Sequence, residues 1–367
     1  AITVNNTDGT CTANITNKPN RNLIINGAMQ VAQRGTSSTV NDYGTVDRFE
    51  LNYGGTDEAP TQSQVDVASG TTPYTLGFRK AYKATNGNQT SGAGTGDYMF
   101  MRTRFEAQDI ANSGWNYLSS SSYITLSFWV KCSVAQTFPI RMSTSDGTLQ
   151  NYSFQYTISS ADTWQKVTHS IPGNSNLTFD NNANLGLTLF WDLFRGTDFT
   201  DNSFTNNAWA AFSSSSRSKD QTSTWYTTND ATFEITGVQL EVGSVATDFE
   251  HRSFAQELAL CQRYLYKLAV GKDSDYNNFI ILSRYSTGGA GAPFGSIPFP
   301  VQMRTEPTFT FTGAALTQAG YAGDPVAYHE SKDMATIQGT TSYSAGGVAY
   351  LRRGSSGDLD LFFSAEL

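Results

Sequence analysis

The sequence predicts an all-β protein: a jelly-roll β-sandwich, a short linking α-helix, and a smaller C-terminal β-sandwich domain. Three observations carry that reading. Charged residues make up only 15% of the 367 residues, against roughly 25% in an ordinary soluble domain. Their place is taken by Ser, Thr, Asn and 32 Gly, which favour turns and strand ends over helices. Aromatic residues reach 13%, and short apolar runs repeat with a period of two, the spacing of a half-buried strand.

Taken in order, residues 1–21 are polar and lack sustained periodicity, so they are expected to form an N-terminal arm. "NLIINGAMQV" (22–31) then opens a series of short strands that defines the jelly roll, 22–247. In "YITLSFWVK" (123–131), Ile124, Leu126, Phe128 and Val130 share one face, and Thr125, Ser127, Trp129 and Lys131 share the other. "NYSFQYTIS" and "LGLTLFWDLF" alternate in the same way. In "ATFEITGVQLEVG" (231–243) the apolar phase slips from odd to even positions at Gly237. Such a slip marks a β-bulge that re-aims the strand.

Residues 248–269 break the pattern. Ser253 and Gln256 match a capping box. Phe254, Leu258, Cys261, Leu265 and Leu268 then follow at steps of four, three, four and three, an a/d seam of about two heptads. So short a helix is marginal alone. It packs either on its own sandwich or on its copies at a symmetry axis. Strand-like stretches resume over 270–367. Pro298 and Pro300 suggest an edge or entering strand, and Leu359, Leu361 and Phe363 face inward on the last strand.

The net charge of −8 and the absence of Lys/Arg clusters argue against nucleic-acid binding. No stretch has the length of a membrane span or the pattern of a secretory leader. Three widely spaced cysteines, Cys11, Cys132 and Cys261, define no disulfide framework and suggest folding under reducing conditions.

Few motifs suggest chemistry. His169 alternates in phase with Val167 and Ile171, as a half-buried strand residue does. His251 and His329 lack companions of a zinc site or triad. "DSDYNN" (273–278) begins like a calcium loop, but Asn278 and Arg284 occupy the positions that require Gly and Glu. "GGAGAPFG" (288–295) lacks the Lys-Ser/Thr of a phosphate loop. No metal, cofactor or catalytic residue is expected, and neither is enzyme activity. The positive signal is aromatic. Trp129 lies on the polar face of its strand, and Trp209, Trp225 and Tyr226 sit in loop-like surroundings. Such rings either cap a sandwich edge or stack on the C–H face of a sugar whose hydroxyls meet nearby polar groups.

Several segments together resemble a jelly-roll module of tail-fibre-like proteins from bacteriophages, especially marine ones. They are "NLIINGAMQVAQRGT", "DYGTVDRFE", "LSFWVK", "TWQKVTHSIPG", "FEITGVQLEVGSVATDFEHRSFAQELALCQRYLYK", "IPFPVQMR" and "FFSAEL". The resemblance implies a virion component with a carbohydrate-binding-like jelly roll, acting as a homotrimer on the particle surface. The expected partners are other tail or capsid proteins, through the arm, and host surface polysaccharide. In that setting the 254–268 seam becomes a trimer interface. The alternatives are an adaptor or head decoration fibre without glycan binding, and a polysaccharide depolymerase.

Overall fold

The computed structural model describes residues 2–4, 11–13, 20–271, 280–283, 292–313, 315, 322–340, 348–351 and 358–367. The chain divides into two compact units, Ala1–Ser253 and Phe254–Leu367.

In the first unit the strands are, in order, β1 (Ile2–Val4), β2 (Cys11–Ala13), β3 (Ser37–Ser38), β4 (Glu50–Gly54), β5 (Thr61–Asp66), β6 (Lys80–Thr85) and β7 (Tyr98–Glu106). They continue as β8 (Tyr123–Cys132), β9 (Thr137–Thr144), β10 (Gln150–Thr157), β11 (Gln165–Pro172), β12 (Leu185–Arg195), β13 (Trp209–Ala211) and β14 (Thr232–Val242). Three one-turn helices intervene: α1 (Thr72–Thr75), α2 (Ala107–Ala111) and α3 (Thr224–Thr227). The first two strands pair as a hairpin. The other twelve form two antiparallel sheets. Sheet I has the order β13-β10-β9-β12-β7-β4, and sheet II the order β11-β8-β14-β6-β5-β3. Many neighbours are distant in sequence, the crossover connectivity of a jelly-roll sandwich.

The core lies between these sheets. Ile124, Leu126, Phe128 and Val130 of sheet II are fully buried with Ile140, Leu189 and Trp191 of sheet I. Trp191 sits 6.2 Å from the Phe49 ring and 5.9 Å from Phe128. Each fully buried ring or branched chain of this kind contributes about 1.5–3 kcal/mol.

The phase slip at Gly237 is a bulge: the β14–β8 register shifts between Thr236 and Gln239. Gly237 has φ +62°, and a Cβ there would lie 2.6 Å from Cζ of Phe78. Both the left-handed backbone and the adjacent ring require glycine.

The second unit begins with α4 (Phe254–Gln262), followed by β15 (Leu265–Gly271), β16 (Ile280–Ser283), β17 (Phe294–Pro298) and β18 (Thr308–Thr312). Then come β19 (Pro325–Glu330), β20 (Met334–Gly339), β21 (Val348–Leu351) and β22 (Leu359–Ser364). A three-stranded sheet, β15-β22-β18, and a five-stranded sheet, β19-β20-β17-β16-β21, contribute to one core that includes Leu359, Leu361 and Phe363.

Two expectations are corrected here. The helix is nine residues, Phe254–Gln262, rather than 248–269. Leu265 and Leu268 instead lie on β15, paired with Ser364 and Leu361 of the last strand. The heptad spacing was real, but β pairing to the C-terminal strand outweighs two marginal turns of helix. The five residues Phe254, Leu258, Cys261, Leu265 and Leu268 therefore do not form one helical seam. Cys261 and Leu265 are buried, and Phe254 is 55% exposed. Second, of the edge or entering strand that the prolines suggested, the edge reading is overturned, because β17 is central in its sheet. Pro298 closes its last position and Pro300 lies beyond it, so neither is needed as an interior donor. The calcium-like stretch 273–278 and the first four residues of "GGAGAPFG" lie outside the described residues.

Candidate glycan-binding face

Strand alternation divides β8 as the sequence indicated, with Trp129 and Lys131 on the outer face of sheet II. Across the ladders Trp129 faces Lys166 of β11 on one side and Thr236 of β14 on the other. Extended one residue past the β11 ladder, the register sets Trp164 opposite Lys131. The Lys131 ammonium is 5.4 Å from the Trp164 ring centroid and 2.9 Å from the Glu234 carboxylate. Trp129 and Trp164 are both half-buried. Both rest on a small outer cluster of Ala28, Val67, Phe78 and Ala81, joined by Val65, Tyr74 and Phe249.

The bulge at Gly237 lets Phe78 lie directly against the sheet, so this outer cluster has a floor. Phe249 packs edge-on to Phe78 at 4.9 Å, and His251 lies 5.1 Å from Phe78 with its Nε2 2.9 Å from the Leu76 carbonyl oxygen. Arg79 covers the Tyr74 ring at 3.9 Å. Another part of this face is covered. Residues 20–24 and 244–250 strap over Gln239 and Glu241, with the Thr247 and Glu250 amides donating to Glu241 and Gln239. The Asn22 amide donates to Glu250 at 2.8 Å. The accessible part includes a partly open aromatic patch ringed by Lys131, Lys166 and Glu234. Chemically, it offers ring faces for stacking, ammonium donors and one carboxylate acceptor.

The other three predicted ligand residues are placed elsewhere. Trp225 and Tyr226 are fully buried, so their assignment to a ligand surface is corrected. They fall on α3, where the Trp225 indole donates to the Thr232 carbonyl at 3.1 Å and Tyr226 stacks on Phe194 at 4.5 Å. Burial pushes the Tyr226 phenol well up. Flanking Ser and Thr made this segment look like an exposed loop, whereas its two rings plug the sandwich.

Trp209 is half-buried on the edge strand of sheet I. Its indole N–H donates to the Pro172 carbonyl of sheet II at 2.8 Å, and its ring lies 5.3 Å from Tyr152. It clasps the sandwich edge and does not join Trp129. Of the four predicted residues, only Trp129 belongs to the patch. Trp164, which also packs on the outer cluster, is not among them, and its step of two from Lys166 is the signal that could have placed it.

No family model and no curated protein matches the sequence. Among solved structures, the chain is similar to the enzymatically active domain of tailspike protein 4 of bacteriophage CBA120, at 13% identity and a TM-score of 0.35. That match covers 62% of this chain and only 22% of the tailspike chain. It is also similar to a CBM4 module, at 13% identity and a TM-score of 0.30, covering 59% of this chain and 98% of that one. A third is the N-terminal CBM22-1–CBM22-2 tandem domain of Paenibacillus barcinonensis Xyn10C, at 9% identity and a TM-score of 0.29, covering 95% and 92%.

Proposed function

We propose that the first unit is a non-catalytic glycan-binding module and that the chain serves as a fibre or receptor-binding protein on a phage particle. The observation that carries the binding reading is the half-exposed Trp129–Trp164 pair, held on a rigid sheet and bordered by Lys131, Lys166 and Glu234. The sequence segments that resemble tail-fibre modules support the virion setting. Each site would bind weakly, and several copies would raise the effective affinity through multivalency. A homotrimer fits that role. The helical surface available for it is the α4 face that carries exposed Phe254 and half-buried Leu258.

A glycan array probed with the purified protein, alongside Trp129→Ala and Trp164→Ala, tests the reading. Binding to host surface polysaccharide that both variants lose is the expected result. Capture of virion proteins with no glycan signal would make the chain an adaptor. Release of reducing ends from bound polysaccharide would make it a depolymerase.

A further inference from the structure

The outer face of sheet I, on the opposite side of the sandwich, carries a second set of functional groups. Cross-strand register aligns Glu50, Arg102, Phe190, Arg141 and Ser153 in one row from β4 to β10. Phe100 and Asp192 stand in the next row. A bulge between Asp192 and Phe194 adds Arg195 to the same face. Three residues apart in a regular strand, Asp192 and Arg195 would point to opposite sides. Here the Arg195 Nε donates to Asp192 at 2.9 Å. Arg217, from the segment that follows β13, joins them over the Phe199 ring at 4.9 Å.

The charges on this face do not balance. Glu50 is engaged by Arg102 at 2.5 Å and by Arg104 at 3.4 Å. Among the described residues, that leaves Asp192 as the single carboxylate among Arg141, Arg195 and Arg217. Stacking occupies guanidinium faces: Arg141 lies 3.6 Å from the Phe190 centroid and Arg195 4.3 Å from Phe100. A stacked guanidinium still presents its N–H groups in the ring plane. Arg141 and Arg195 are each 2% exposed. Among the described residues, Arg141 Nε, Arg195 Nη2 and Arg217 Nε are buried with no hydrogen-bond partner, as is the Asp192 Oδ2 acceptor beside them. Arg141 reaches Asp192 only at 3.5 Å. Burial, with the positive charges of Arg195 and Arg217, presses Arg141 down to about 9 against the pull of Asp192. A buried donor without an acceptor costs about 1–3 kcal/mol, more when charged, and three on one face call for an acceptor.

We propose that Arg141, Arg195 and Arg217 form a binding site for one small oxyanion, a carboxylate or sulfate group such as an acidic sugar carries. The planar forks of arginine match that geometry. The chain's net charge of −8 disfavours an extended polyanion. The acidic-sugar source rests on the glycan-binding reading, whereas anion binding as such does not.

The test titrates the intact protein with sodium sulfate and with sodium glucuronate, against sodium chloride at matched ionic strength, by calorimetry and thermal unfolding. Saturable binding of sulfate and glucuronate but not chloride is expected. Affinity should fall about tenfold or more in Arg141→Met, and likewise in Arg217→Met, which keeps the test decisive if the first variant fails to fold. Exposed Lys332→Met, with the same charge change, should bind as the parent does. A response equal in chloride, or undiminished in both arginine variants, would mean an adventitious ion only and overturn the site. Sulfate binding without glucuronate binding would keep the anion site and overturn a carboxylate sugar as its source. Neither outcome depends on Trp129, so this proposal and the glycan-binding reading fail separately.

Discussion

The imidazole of His169 lies flat on the ring of Phe154, with centroids 3.8 Å apart and planes within 9°. His169 belongs to β11 in sheet II and Phe154 to β10 in sheet I, so this stack joins the two layers at their edge. The Tyr152 hydroxyl, 3.0 Å from His169 Nε2, completes the contact. Together with the Trp209 indole bond to Pro172, it forms a clasp on the sandwich.

That clasp makes stability depend on pH in a stated direction. Burial lowers His169 from 6.5 to about 4 in the folded protein. Above pH 6.5 the ring is neutral in both folded and unfolded states and contributes no pH dependence. Between 6.5 and about 4 the unfolded chain binds the proton and the folded one does not, so stability falls as pH falls. Thermal unfolding across that window should show a shallower acid slope in His169→Phe than in the parent. Equal slopes would remove His169 as the cause.

The two tryptophan classes should separate cleanly. Trp129→Ala and Trp164→Ala are expected to unfold near the parental temperature while losing glycan affinity. Trp225→Ala should instead cost about 3–5 kcal/mol of stability, as deletion of a fully buried ring does. Chemical denaturation run beside the binding assay checks both. Glycan binding that survives in Trp129→Ala would move the site off sheet II.

Gly237→Ala should destabilise the first unit by on the order of 2–3 kcal/mol, since it strains a left-handed backbone and meets the Phe78 ring. Gly35 has φ +119° with open space around it, so Gly35→Ala carries the backbone strain without the clash. Of the two, the Gly237 variant should be the less stable in the same denaturant series.

The helix makes an assembly prediction. Phe254→Asp with Leu258→Asp changes side chains that are exposed and half-buried, so the fold should persist while a trimer dissociates. Leu265→Asp should unfold the second unit instead, because that leucine is core. Sedimentation velocity and circular dichroism distinguish the cases. An unchanged mass for the double variant would rule out α4 as the interface.

Thiol reactivity gives a simple check on burial. Cys132 is buried in the core, which pushes its thiol up to about 12. It should resist alkylation at neutral pH in the folded protein and react on unfolding.

Period-two alternation made the sandwich legible from sequence, because burial on one side of a sheet imposes that pattern directly. It placed Trp129 outward, Leu359, Leu361 and Phe363 inward, and His169 in a half-buried register. The glycine at 237 marked its own bulge through the phase slip. Those features depend on neighbours along the chain, and local sequence records them.

Pairing across the chain decided the rest. Whether "LYKLAV" continued a helix or became a strand turned on the distant C-terminal strand as its partner. Trp225 and Tyr226 sit among exposed-looking Ser and Thr, yet their rings fill a gap left by the two sheets. The arginine site is written in "TFPIRMST" and "FWDLFR", but only cross-strand register and a bulge bring Arg141, Asp192 and Arg195 together. Local alternation tells which way a side chain points; only the folded sheets determine what it meets there.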